Sequence, residues 1–79
     1  MSPDDVCVKY SDQKVKFDIS IEGDYVYLTG NKKTLLFLSE LIKAQAEFEL
    51  DDNFFISKNR RKFNKDSKFG LMIIRTNNK

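Results

Sequence analysis

The chain has 79 residues, of which 41% are hydrophobic and 33% are charged, and its formal net charge is +2 at neutral pH. This balance predicts one globular domain, residues 1–79, with a modest core. The longest apolar runs have four residues, too short for a transmembrane helix, and the first residues lack the apolar stretch of a signal peptide. We therefore expect a cytoplasmic protein with no membrane partner.

The N-terminal half predicts three strands. Val6, Val8 and Tyr10 alternate with polar residues and indicate a short strand at a sheet edge. A stronger alternation runs from Val15 to Glu22, and Gly23-Asp24 then has the composition of a two-residue hairpin turn. The register follows from that turn, with four predicted pairs: Glu22 with Tyr25, Ile21 with Val26, Ser20 with Tyr27, and Ile19 with Leu28. In this register the aliphatic residues point inward and Tyr25 and Tyr27 point outward.

A long amphipathic helix follows the hairpin, from Lys32 to about Glu47. Asn31 is a favourable N-cap at its start, directly after Gly30. At 100° per residue the apolar positions form two adjacent arcs. The first arc is expected to pack on the hairpin and comprises Leu35, Leu38, Ile42 and Ala46. The second arc needs cover from the terminal segments or from another chain and comprises Phe37, Leu41, Ala44 and Phe48.

The C-terminal third predicts two more strands. One includes Asn53 to Ser57, and the other runs from Phe69 to Arg75 and is apolar on both faces, as expected inside a sheet. Residues 58–68 have no period and indicate a loop. The predicted fold is therefore α+β, a mostly antiparallel sheet of four or five strands with one long helix packed on one face.

The chain offers little for catalysis. It has no histidine, the commonest acid–base residue near neutral pH and the commonest transition-metal ligand. Cys7 lacks a convincing base and is interpreted as a buried structural side chain. A group of four carboxylates is interpreted as a solvated strand edge rather than a cation site: Glu47, Glu49, Asp51 and Asp52. We therefore expect no enzyme activity, no cofactor and no metal.

The segment 58–68 concentrates positive charge, with six Lys or Arg residues against Asp66 alone. Such a run, which also contains Phe63, is typical of a surface that follows a phosphate backbone while a ring stacks on a base. The same charge would equally serve an acidic protein partner. A salt titration distinguishes the two, because phosphate contacts weaken steeply as salt rises.

The residues from Ile21 to Lys43, with the Gly30-Asn31 junction and the leucine-rich helix after it, resemble one family. They are similar to the small α+β immunity proteins of bacterial polymorphic toxin systems, specifically immunity protein family thirty-two. Leu71 to Ile74 corresponds to that family's closing strand. The family's short strand carries a histidine that this chain lacks. The resemblance implies a cytosolic, non-catalytic protein that binds and neutralises a cognate toxin.

Together, the residues and the resemblance predict a protein-binding domain that blocks a toxin by occlusion, and the basic segment favours a toxin with an acidic surface. Aromatic and arginine side chains dominate interface energetics, which selects the candidate partner-binding residues. These are Tyr25, Tyr27, Arg60, Arg61, Lys62 and Phe63. Two alternatives stay open: a small nucleic-acid-binding protein that uses residues 58–68, and a homodimer that buries the second helix arc.

Overall fold

The computed structural model describes residues 1–48, 53–56 and 67–76. Within these residues the chain forms, in order, the helix α1 (Pro3–Lys9), the strands β1 (Asp18–Glu22) and β2 (Tyr25–Thr29), the helix α2 (Lys32–Glu47), and the strands β3 (Asn53–Ile56) and β4 (Leu71–Ile74). The fold is α+β, as predicted. None of the helices in this part of the chain combines the length and the apolar composition that a bilayer-spanning segment needs.

The helix α1 begins with a complete capping box. The Ser2 hydroxyl accepts a hydrogen bond from the Asp5 N–H at 3.1 Å, and the Asp5 carboxylate accepts one from the Ser2 N–H at 2.9 Å. The hydrogen bond from the Ser2 N–H first, and the interaction of the Ser2 hydroxyl with the carboxylate second, hold the pKa of Asp5 below its ordinary value. Pro3 occupies the first helical position, where its missing N–H costs nothing.

The strand predicted at Val6, Val8 and Tyr10 is therefore wrong. The helical turn puts Val6, Cys7 and Tyr10 on one buried face and leaves Val8 exposed. Three apolar residues at alternate positions also occur in a helix, and here the N-terminal capping signals decide between the two. Cys7 is buried, as predicted for a structural side chain.

The β1–β2 hairpin has the predicted register. Glu22 pairs with Tyr25 next to the turn, and Ile19 pairs with Leu28 further along. Gly23 has φ of 60°, which a residue without a side chain adopts readily in a two-residue hairpin turn. The strand begins at Asp18 rather than at Val15. The preceding Val15 and Phe17 are nevertheless buried in the core.

The helix α2 has the predicted bounds, and the Asn31 side chain accepts a hydrogen bond from the Thr34 N–H at 2.8 Å. The prediction that the first arc packs on the hairpin is wrong, whereas the prediction that terminal segments cover the second arc is confirmed. Phe37, Leu41 and Ala44 of the second arc are buried, whereas Leu35 and Ile42 of the first arc are exposed. The helix turns the second arc toward α1, β4 and the chain before β1, so this arc needs no other chain to cover it.

The predicted sheet of four or five strands is also wrong. In the described residues β1 pairs with β2 in one antiparallel sheet, and β3 pairs with β4 in another. The outer edge of β1 meets a side chain instead of a strand, since the Ser67 hydroxyl accepts a hydrogen bond from the Ile19 N–H at 2.9 Å. Among the described residues β4 pairs with β3 alone, so the predicted interior position is not observed, and its Met72 and Ile74 are exposed.

One core joins the elements. Its buried side chains come from α1, the segment before β1, β1 itself, α2 and β3, and the edges of β3 and β4 pack against it. The members are Val6, Cys7, Tyr10, Val15, Phe17, Ile19, Phe37, Leu38, Leu41, Ala44 and Ile56, with Phe54, Leu71 and Ile73 partly buried beside them. Ile19 is the one residue of the hairpin that belongs to this core, so most of the hairpin extends away from the core.

Candidate functional site

The hairpin presents two tyrosines side by side. Tyr25 and Tyr27 are 70% and 44% exposed, and their ring centroids lie 6.4 Å apart with a tilt of 40° between the planes. Both side chains lie on one face of β2, because residues two apart in a strand share a face. The predicted exposure of both tyrosines is confirmed. The pair forms a partly apolar surface with two hydroxyl groups for polar contacts.

The opposite face of the hairpin is exposed as well, contrary to the sequence interpretation. Ile21, Val26 and Leu28 were expected to lie under α2, yet they are 59%, 69% and 45% exposed. Ile19 alone of this aliphatic row is buried. We define the hairpin surface as the exposed side chains of these two faces: Ile21, Tyr25, Val26, Tyr27 and Leu28.

Sequence reasoning missed the aliphatic half of this surface, because alternation identifies which residues share a face but not whether anything covers that face. The composition of the strand gives no signal that this face is uncovered. The strand β2, Tyr25–Thr29, contains no charged residue and no proline, the devices by which uncovered strands usually avoid unwanted pairing.

The other predicted partner-binding residues, Arg60, Arg61, Lys62 and Phe63, lie outside the described residues. The end of the basic segment is described at Ser67 and Lys68. Ser67 is buried against β1 through its bond to Ile19 and donates a hydrogen bond to the Phe69 carbonyl oxygen at 2.7 Å. The C-terminal end of the basic segment is therefore held beside β1. The strand β1 in turn pairs with β2, which carries the tyrosines.

Two small pockets accompany these elements. One, of about 320 Å³, follows the outer edge of β1 and is lined by Asp18, Ile19, Ser20, Ile21, Lys68 and Phe69. The other, of about 190 Å³, lies between the start of α1 and α2 and is lined by Met1, Val6, Glu40, Lys43, Ala44 and Glu47. Small-molecule sites usually measure about 300–1,000 Å³, so the first pocket is at the lower limit and the second is below it.

A charged cluster joins α1 to α2. The Glu40 carboxylate accepts hydrogen bonds from the Lys9 ammonium group at 2.6 Å and from the Tyr10 hydroxyl. The Lys9 bond first and the Tyr10 bond second hold the pKa of Glu40 below its ordinary value. The same carboxylate raises the pKa of Tyr10, so this phenol stays protonated at neutral pH and donates to Glu40. The arrangement connects the two helices electrostatically.

Metal ligation finds no support in the described segments. Residues 1–48, 53–56 and 67–76 contain no group of three His, Cys, Asp or Glu side chains close enough to hold an ion. Of the four carboxylates interpreted as a strand edge, Glu47 is exposed at the end of α2, and the other three lie outside the described residues.

The hairpin surface is thus the described feature that most resembles a binding site. It combines rigid aromatic side chains with uncovered aliphatic ones on a hydrogen-bonded support. Comparison with known proteins adds no further guide: no family model, no curated protein and no solved structure matches the chain.

Proposed function

We propose that this chain is a non-catalytic protein-binding domain, an immunity protein that neutralises a cognate bacterial toxin by occlusion. The observation that carries this proposal is the exposed pair Tyr25 and Tyr27 on the hairpin. Aromatic residues are enriched among the few side chains that supply most of an interface's energy. The resemblance of residues 21–43 to immunity protein family thirty-two selects the toxin as the partner.

The hairpin suits this role because it presents its side chains in a fixed geometry. Five consecutive residue pairs hold β1 against β2, and Ser67 fixes the outer side of β1. A tyrosine has few rotatable bonds, so little conformational entropy is lost when its ring enters a pocket on the partner. Occlusion then follows from position, since a rigid protrusion seated over an active site excludes the substrate.

The basic segment supplies the second part of the proposed interface. In the sequence, Ser67 comes shortly after Arg60, Arg61, Lys62 and Phe63. The Ser67 hydroxyl is hydrogen-bonded to the Ile19 N–H of β1. An acidic surface on the toxin would attract this segment and accelerate association. The tyrosines would then provide the short-range packing that slows dissociation.

Gene context gives the first test. We expect a gene immediately upstream that encodes a large secreted protein with a C-terminal toxin domain. An isolated gene, or one placed among genes of nucleic-acid metabolism, would contradict the immunity role.

Binding gives the second test. We expect Tyr25→Ala and Tyr27→Ala each to weaken binding to the purified toxin domain by about 1–3 kcal/mol, which calorimetry would measure as a roughly 5- to 150-fold rise in dissociation constant. Met72→Ala is the matched control, because Met72 is an exposed apolar residue of the other sheet. Equal affinities for all four proteins would remove the tyrosines from the interface.

A further inference from the structure

The outer edge of β2 carries unpaired backbone groups. In an antiparallel ladder, residues of the non-hydrogen-bonded pairs turn their N–H and C=O groups away from the partner strand. Ile19 belongs to such a pair, because its N–H is bonded to Ser67 rather than to Leu28. Leu28 opposite it, and Val26 two residues earlier, therefore direct their N–H and C=O groups away from β1. In the described part of the chain β2 pairs with β1 alone.

The two edges of the hairpin differ in protection. The β1 edge carries Asp18 and Glu22 and is closed at Ile19 by Ser67. The β2 edge has no charge, no proline and no comparable side chain among the described residues. An exposed apolar strand edge of this kind is a template for pairing with another strand.

We propose that β2 pairs with the β2 strand of a second copy of this chain, antiparallel about a two-fold axis at Tyr27. In this register Tyr27 lies opposite Tyr27 of the second copy, Val26 opposite Leu28, and Tyr25 opposite Thr29. The outward groups of Val26 and Leu28 then exchange four hydrogen bonds across the axis. A slip by one residue would set N–H and C=O groups out of phase and bring the aliphatic face against the tyrosine face.

Charge and pattern favour a second copy as the occupant. Because β2 carries no charge, two copies approach without like-charge repulsion, and the strand sequence is complementary to itself in this register. The aliphatic rows of both hairpins become one continuous face of a four-stranded sheet. A strand-edge contact of five residues buries less than the roughly 1,000 Å² of a stable interface, so we expect a dissociation constant of about 100 μM.

Dimerisation would also complete the tyrosine surface. Tyr25 and Tyr27 of both copies would lie on one face of the joined sheet, with the two Tyr27 side chains adjacent at the axis. The use of this four-tyrosine face to bind a toxin rests on the proposed function. The proposed pairing of the two β2 strands does not depend on that function.

Disulfide trapping tests the register. Residues opposite each other in a non-hydrogen-bonded antiparallel pair have Cα atoms about 4.5 Å apart, within the range of a disulfide. Tyr27→Cys should therefore cross-link two copies in a glutathione buffer. Tyr25→Cys is the matched control, because its two copies would lie about 13 Å apart along the strands. The unchanged protein controls for the buried Cys7.

Sedimentation over about 20 μM to 1 mM measures the association itself. We expect the unchanged protein to move from monomer toward dimer over this range. Val26→Pro, which removes one outward donor, should remain monomeric, whereas Ile21→Lys on the neighbouring strand should still dimerise. A monomer throughout, or equal cross-linking of the two cysteine variants, would overturn the proposal.

Amide exchange separates the other occupants. Concentration-dependent protection of the Val26 and Leu28 amides supports the second copy. Protection already complete at low concentration would assign the edge to the same chain, and protection induced by the toxin alone would assign it to the toxin. Either result overturns the dimer. Selective cross-linking without toxin binding would instead retain the dimer and remove the proposed function.

Discussion

At the scale of single residues, the junction between β2 and α2 requires a glycine at position 30, because there is no space for a side chain there. A Cβ built there would lie 2.6 Å from Thr34 Cγ2 and 2.9 Å from Thr34 Cβ, closer than real Cβ atoms approach. Thr34 has no room to move, because it is fully buried and its Oγ1 accepts a hydrogen bond from the Lys16 N–H at 3.0 Å. The Gly30-Asn31 pair therefore brings the end of β2 close to the first turn of α2.

This crowding predicts that Gly30→Ala destabilises the protein by about 1–3 kcal/mol, the usual cost of overpacking. Thr34→Ser deletes the methyl group nearest the new Cβ and keeps the hydroxyl that Lys16 needs. The double variant should then be more stable than the sum of the two single effects, as coupled neighbours are. Urea unfolding followed by circular dichroism measures all four proteins. Strict additivity would show that the clash is relieved elsewhere.

At the scale of elements, the sequence predicts one helix, α2, correctly and misses the other, α1. Asn31 and the long apolar period predict the bounds of α2, whereas the alternation of Val6, Val8 and Tyr10 predicts a strand where α1 and its capping box lie. In so short a segment, alternation and helical spacing fit the same three apolar residues. The choice between helix and strand depends on the capping box, which here is a stronger indication than the alternation of apolar residues.

The end of α2 depends on a residue that is remote in sequence. Its last turn contains no basic residue, and Arg75, just after β4, donates hydrogen bonds to the carbonyl oxygens of Gln45 at 3.1 Å and of Phe48. A cation at a helix C-terminus interacts favourably with the helix dipole and satisfies its free carbonyl groups. Arg75 thereby joins β4 to α2.

Arg75→Gln should lower the free energy of unfolding by about 1–2 kcal/mol, from the lost charge and hydrogen bonds. Arg75→Lys should restore part of this loss, since it retains the charge but not the planar group of donors. Lys14→Gln, which removes an exposed charge outside the helices and strands, is the control. Denaturant midpoints compare the variants. A loss no larger than that of the control would mean that the cap adds little.

At the scale of the whole molecule, α1 is held to α2 by two kinds of contact. Tyr10 and Phe37 pack with ring centroids 5.2 Å apart, and Glu40 accepts hydrogen bonds from Lys9 and Tyr10. The lowered pKa of Glu40 makes the second contact sensitive to acid. Its contribution is complete above the ordinary glutamate pKa of about 4.3 and is lost as pH falls through the lower folded-state pKa.

Glu40→Gln should therefore have a lower melting temperature than the unchanged protein at neutral pH. The difference should narrow as the pH falls from about 5 to about 3. Glu22→Gln, which removes an exposed carboxylate from the hairpin, is the matched control. Thermal unfolding at stepped pH measures the three proteins. Curves for Glu40→Gln and the unchanged protein that stay parallel down to pH 3 would show that this contact does not contribute.

The sequence by itself determined what depends on neighbours along the chain. The hairpin register, the bounds of α2 and the outward tyrosines follow from period, turn and cap, because these act over a few residues. Tertiary structure decided which arc of α2 is buried, that the strands form two sheets, and that the aliphatic hairpin face stays uncovered. Those outcomes depend on contacts between distant residues, such as Ser67 with Ile19 and Arg75 with α2. An apolar pattern shows that a face can be buried, and only the packing of the whole chain shows whether it is.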